Sequence, residues 1–289
     1  MWRKPMDLES TLRQHIEYSE HALRDPDMYG VEVELEGQHV MGLPLPLQEK
    51  WFAHNDGSLR ALKPNDQAIE YVFRRPMTYG ETVSALDELF NFLETPPVVV
   101  YDSYRTSIHV HVNFVLETLR TIYNFITLSL ILDELLTSQN GSHRVGNNFC
   151  LRAKDAMGQV ISLCSSMRNS GGLFHINANE RYSSINFVSL FKFGTIEFRS
   201  LECTTHFGRV VHWINTLTAM KAAARGFKNP IEIISQFSQL GPEEFLRKVL
   251  GPAANKYLRV TDRDEMLHNG MRIAQDFAYS SAWNEKEVA

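Results

Sequence analysis

Residues 29–36 read YGVEVELE. Val31, Val33 and Leu35 alternate with Glu32, Glu34 and Glu36, and a period of two places the two sets on opposite faces of a strand. One face is apolar and the other acidic. Glu32 and Glu34 would lie about 6.6 Å apart along the acidic face. Carboxylates that close repel each other unless a cation sits between them. An isolated pair of this kind also fits a solvated outer face. Glu36 is the weakest of the three, because Gly37 follows it and the strand is expected to end there.

The same alternation recurs downstream. In residues 68–74, Ile69, Tyr71 and Phe73 oppose Glu70, Val72 and Arg74. In residues 107–114, Ile108, Val110, Val112 and Phe114 oppose Ser107, His109, His111 and Asn113. Residues 171–199 read as two or three further strands, the last placing Thr195, Glu197 and Arg199 opposite Ile196 and Phe198. Helices are expected over residues 7–25, 78–93 and 115–138, and after His206 to the end, with breaks near Asn229-Pro230 and Gly251-Pro252. Residues 37–66 read as a loop around Gly42, Pro44, Pro46 and the turn Asn55-Asp56-Gly57. Strands separated by long helical excursions predict an α+β fold: a curved, mostly antiparallel sheet with helices packed on one face.

Each polar strand face has a plain structural explanation when taken alone. His109 and His111 could be satisfied or surface histidines, and Glu197 and Arg199 an ion pair. Asp56 could be simple turn chemistry. Together they present acids, imidazoles and a guanidinium opposite the apolar residues of four segments. A sheet face so lined is costly unless a ligand occupies it. Carboxylates with imidazole suit hard divalent cations such as Mg²⁺ or Mn²⁺. A guanidinium beside them suits phosphoryl or carboxylate oxygens.

The bulk properties narrow the classes. At 289 residues and a formal net charge of −5, the chain lacks the global basic footprint of a nucleic-acid binder. Three cysteines, Cys150, Cys164 and Cys203, give no disulfide framework, so a reducing, cytoplasmic setting is expected. Cys203 is expected to pack rather than react. The apolar segment from Thr121 to Leu136 carries Asn124, Asp133 and Glu134, too short and polar for a membrane span, and reads as a core helix. No GxxxxGK(S/T) or GxGxxG sequence is present.

The order Glu32-Val-Glu34, Asp56-Gly-Ser58, Glu70, Ser107-x-His109-x-His111, Arg181 to Asn186 and Thr195-Ile-Glu197-x-Arg199 resembles the amidoligases of the glutamine synthetase and glutamate–cysteine ligase superfamily. The resemblance covers roughly residues 29–205. It implies a glutamine-synthetase-like catalytic fold that binds ATP on a sheet without a P-loop. It implies an ATP-dependent carboxylate–amine ligase working through an acyl-phosphate, with Mg²⁺ or Mn²⁺. Glu32, Glu34, Glu70, His109 and Glu197 would hold the metal. Glu34, Glu197 and Arg199 would carry the chemistry, with Arg199 on the transferring phosphoryl group. His111, Arg181, Asn186 and Arg199 would touch nucleotide or substrate. The partners implied are carboxylate and amine substrates, small molecules or peptides, with neither nucleic acid nor membrane.

The expected organisation is a helical extension over residues 1–28, a catalytic domain over 29–227 and a helical segment over 228–289. Residues 37–66, with Trp51, Phe52 and His54, are a candidate lid. Two other classes stay open. One is a metal-dependent hydrolase or oxygenase built on His109 and His111, with His143, His175 or His206 recruited. The other is a non-catalytic binding relative that kept the fold.

Overall fold

The computed structural model describes residues 7–18, 20, 24–61, 63–169, 182–281 and 283. Eight strands form one open antiparallel sheet. They are β1 (Met28–Gln38), β2 (Trp51–His54), β3 (Gln67–Phe73), β4 (Met77–Thr78), β5 (Val99–Val100), β6 (Ser107–Asn113), β7 (Ile185–Asn186) and β8 (Thr195–Glu202). The main order is β2-β3-β1-β6-β8-β7, with β4 and β5 also paired to β1. Interleaved are α1 (Leu45–Gln48), α2 (Tyr79–Leu93), α3 (Leu119–Ser138), α4 (Met157–Asn169), α5 (Val188–Phe193), α6 (Phe207–Arg225), α7 (Pro230–Leu250), α8 (Ala254–Tyr257) and α9 (Arg263–Ala278).

The expected α+β class and antiparallel sheet are observed. Tyr29, Val31, Val33 and Leu35 of β1 join Ile69, Tyr71, Ile108, Val110, Ile196 and Phe198 in one continuous core. Helix α3 lies within that core, buried around nearly its whole circumference. Its Asn124 amide donates to the carbonyls of Ala224 (3.0 Å) and Phe227 (2.7 Å), and its Asp133 accepts from the amide N–H of Ala153 at 2.6 Å. These partners explain how polar residues are tolerated in the core helix that the sequence predicted. Among the described residues, no helix is long and apolar enough to cross a membrane.

Helices α3 and α9 cross at Gly270. A Cβ built there would lie 2.2 Å from the carbonyl oxygen of Ile131. Alanine normally gains about 0.8–1.0 kcal/mol over glycine within a helix. Here the backbone clash is expected to outweigh that gain, so Gly270→Ala should lose about 1–3 kcal/mol. Chemical denaturation checks this, and an unchanged or higher midpoint would show that the helices can part freely.

Three expectations need correcting. The first is the helix over residues 7–25, whose described part is no continuous helix but holds a 3₁₀ turn at Leu12–Gln14. Its backbone is engaged elsewhere: the N–H groups of Leu12 and Arg13 donate to the carbonyls of Glu117 and Val115, and those of Leu119 and Arg120 donate to Ser10 and Leu8. Tertiary hydrogen bonds with the 115–120 turn replace helical ones.

The second is the reading of residues 37–66 as loop and lid. They contain α1 and the edge strand β2, whose Trp51 is fully buried and packs at a tilt against Phe73 with ring centroids 4.3 Å apart. Four residues are too few for a periodicity to register. Trp51 to His54 pair with Phe73 to Glu70, so this part is sheet and not lid.

The third concerns the end of the first strand. β1 runs to Gln38, and Glu36 is buried within it. Gly37 continues the strand because its missing side chain makes room for the backbone of β5: a Cβ there would fall 1.9 Å from the carbonyl oxygen of Val99. Of the strands expected over 171–199, β7 and β8 are present, while residues 170–181 lie outside the described residues.

Candidate active site

The polar face of the sheet gathers the acids. β1 lies between β3 and β6, and its register sets Glu34 opposite Glu70 and Glu32 opposite His109. β8 on the far side of β6 sets Glu197 opposite His111, and β7 sets Asn186 opposite Glu197. The edge strand β2 sets His54 opposite Glu70. The β6–β8 ladder shifts register between Ile108 and Val110, at His109. Such irregularities re-aim side chains.

The resulting distances are short. His109 Nδ1 lies 2.8 Å from Glu32 Oε2 and 3.6 Å from Glu197 Oε1. His111 Nε2 lies 3.2 Å from Glu32 Oε1 and 4.0 Å from Glu197 Oε2. Among the described residues, three sets could each hold a metal ion: Glu32, Glu70 and His109; Glu32, His111 and Glu197; and Glu34, Asp56 and Glu70. Within each set the ligand atoms fall within 4.8 Å of one another. Carboxylate oxygens mixed with imidazole nitrogens fit a hard divalent cation such as Mg²⁺ or Mn²⁺. Every residue expected to hold metal is therefore brought to one place, and Asp56 and His111 join them.

Charge shapes the groups. Burial works to raise the Glu32 carboxyl, but hydrogen bonds from His109 and His111 outweigh it and hold it well below the usual range. Glu197 is buried, which works to raise it, yet the charges of Arg199, His111 and His109 keep it low. Burial, then repulsion from Glu32, pushes Glu70 up to about 7. Glu70 therefore binds a proton in the folded protein at pH values where the unfolded chain has released it. Its contribution to stability is present below about 4.5 and is lost as pH rises to about 7. In protein stripped of cations, Glu70→Gln should flatten this part of the stability profile. Thermal melts across that range with chelator present check it, and an equally steep profile in the variant would count against it.

Arg199 pairs through Nη1 with Glu197 Oε1, while its buried Nε has no partner among the described residues. Asn186, expected to touch nucleotide or substrate, donates its amide to Glu197 Oε2 at 2.7 Å. Ser189, which the sequence reading missed, donates to the same oxygen at 3.0 Å. Its place in α5, between the two strands, gives no periodic signal. His54 was also undervalued: its Nδ1 lies 2.7 Å from Glu70 Oε2. Cys203 is buried and unpaired, and burial pushes its thiol up to about 12, which suits packing. Arg181 and His175 lie outside the described residues.

Beside the cluster lies a cavity of about 680 Å³. Glu32 and His111 line it together with Arg74, Arg75, Lys192 and the ring of Phe193. Gly30 also lines it, in a position where a Cβ would press to 3.2 Å against His111 Cβ.

No curated protein compared with the chain matches it. A family model does, that described as "Putative amidoligase enzyme", over residues 69–221. The match begins within β3, so it takes in Glu70, His109, His111, Glu197 and Arg199 and leaves β1 outside. Spanning more than half of the 289 residues, it shows that the chain belongs to this amidoligase family and is an enzyme of the amide-bond-forming ligase type.

Proposed function

We propose that the protein is an ATP-dependent carboxylate–amine ligase that acts through an acyl-phosphate and uses a divalent cation. The observation that carries this reading is the convergence of Glu32, Glu34, Glu70, Glu197, His109, His111 and Arg199 on one sheet face, beside the cavity lined by Arg74, Arg75 and Lys192. The cavity falls within the usual size of small-molecule sites. Cations along its wall suit a polyphosphate, and the Phe193 ring suits a base. The resemblance to the glutamine synthetase and glutamate–cysteine ligase superfamily supports an ATP site without a P-loop.

In this reading a carboxylate oxygen of the acid substrate attacks the γ-phosphorus of ATP and ADP leaves. The amine nitrogen then attacks the acyl carbon, inorganic phosphate leaves, and the nitrogen loses a proton. Glu32, Glu34, Glu70, His109 and Glu197, with His111, would hold the cation, which when bound supplies Lewis-acid charge beside the phosphoryl oxygens. Arg199 stays charged, because Glu197 and Glu34 outweigh its burial. Its unpartnered Nε can donate to oxygens of the transferring group. Asn186 and Ser189 fix the Glu197 carboxylate in place.

Mass spectrometry of reactions containing ATP, Mg²⁺ and panels of amino acids, polyamines and peptides tests the proposal. An amide product with equimolar ADP and phosphate is expected, and hydroxylamine should trap the acyl-phosphate as a hydroxamate. One tightly held zinc with no nucleotide binding would turn the reading toward a hydrolase using His109 and His111. Nucleotide binding with no turnover would leave a non-catalytic relative.

A further inference from the structure

Two histidines on one strand meet the two oxygens of one carboxylate through different ring nitrogens. His109 approaches Glu32 Oε2 through Nδ1, and His111 approaches Glu32 Oε1 through Nε2. In each ring the other nitrogen faces a hydroxyl: His109 Nε2 lies 2.8 Å from Ser107 Oγ, and His111 Nδ1 lies 2.9 Å from Thr195 Oγ1.

The hydrogen bonds at Ser107 constrain where the proton sits. Ser107 Oγ donates its single proton to Glu34 Oε2 at 2.6 Å. Toward His109 it can then only accept, so His109 Nε2 must carry a hydrogen. In the neutral ring Nδ1 is left with a bare lone pair, aimed at a carboxylate oxygen 2.8 Å away. Two lone pairs that close repel, and the contact is sound only with a positive centre between them: the proton with which His109 donates to Glu32 as described above, or a cation in its place. A metal-binding imidazole needs its ligating nitrogen bare, and its orientation is set by what the other nitrogen meets. Thr195 Oγ1 stands in the corresponding place at His111, 2.9 Å from Nδ1, where it can accept and leave Nε2 to a cation toward Glu32 and Glu197. The register shift at His109 explains how neighbouring same-face histidines on β6 present different nitrogens.

We propose that the hydroxyls of Ser107 and Thr195 are positioning residues that hold His109 and His111 in opposite tautomers. His109 then offers Nδ1, and His111 offers Nε2, to divalent cations shared through Glu32. This rests on the cation-dependent reading above and adds to it the means by which each imidazole is aimed. Ser107 is buried, so it acts through His109 and Glu34.

Long-range proton–nitrogen NMR spectra of ¹⁵N-histidine-labelled protein loaded with Mg²⁺ read the tautomers directly. The expected result is a hydrogen on Nε2 of His109 and on Nδ1 of His111. The same tautomer in both rings, or the reverse assignment, overturns the proposal. In parallel, Mn²⁺ binding followed by electron paramagnetic resonance should weaken about 10–100-fold in Ser107→Ala and in Thr195→Val. Thr195→Ser, which restores the hydroxyl, should bind as the parent does. If parent and variants bind Mn²⁺ within twofold of each other, the positioning role is wrong and the cation reading stands. If the parent binds no Mn²⁺, both fall together.

Discussion

Glu197→Gln should lower ATP turnover by about 10²–10³-fold while leaving the protein folded. Losses of that size follow removal of one preorganised charge from a site where charge develops. Glu197 is the most connected acid of the cluster. Its carboxylate accepts from Asn186, Ser189 and Arg199, and it lies 3.6 Å from His109 Nδ1. Gln keeps the volume but brings an N–H₂ toward donors that expect oxygen. That mismatch costs about 1–3 kcal/mol, partly offset because one of several crowded carboxylates is gone. Cation affinity should fall with turnover. ADP release at saturating Mg²⁺, compared with a thermal melt of the same preparation, gives the answer. Turnover at the parent rate would remove Glu197 from the mechanism.

Arg199→Ala should separate chemistry from binding. Turnover is expected to drop about 10²–10³-fold, while nucleotide affinity changes much less. In the proposed reaction the guanidinium's Nε would meet charge that grows on the phosphoryl group, whereas Arg74, Arg75 and Lys192, which line the cavity wall, would meet the bound nucleotide in the ground state. An interaction made only in the transition state lowers kcat and kcat/KM together. Arg199→Lys keeps a positive charge beside Glu197 but loses the planar fork, so it should recover stability better than rate. Equal losses in nucleotide Kd and kcat for the alanine variant would assign Arg199 to ground-state binding. Because the substitution leaves Glu197 with less countercharge, both variants need a melt beside the kinetics.

The polar residues of the site were readable because alternation is a local property. Val31, Val33 and Leu35 against Glu32, Glu34 and Glu36 needs only six consecutive residues, and Ser107 to Asn113 and Thr195 to Arg199 are as local. The supporting residues were less legible. Ser189 sits on a single short helix and His54 on a four-residue strand, where no period can be counted. The helix expected over residues 7–25 gives way, in its described part, to hydrogen bonds that Leu8, Ser10, Leu12 and Arg13 make with the 115–120 turn, a partner more than 100 residues away. Gly37 looked like a strand end and is a strand interior, because the approach of β5 is invisible from β1 alone.

Each strand thus announced which of its side chains share a face, since steric geometry along the backbone fixes that within a few residues. The chain order held no such information about neighbours. That β1 lies between β3 and β6, in a register that sets Glu34 against Glu70 and Glu32 against His109, came from packing the apolar faces on α3 and its partner helices. A slip of one residue would turn those acids into the core. The acids and histidines were therefore local knowledge, and their meeting was a consequence of burying the opposite side of the sheet.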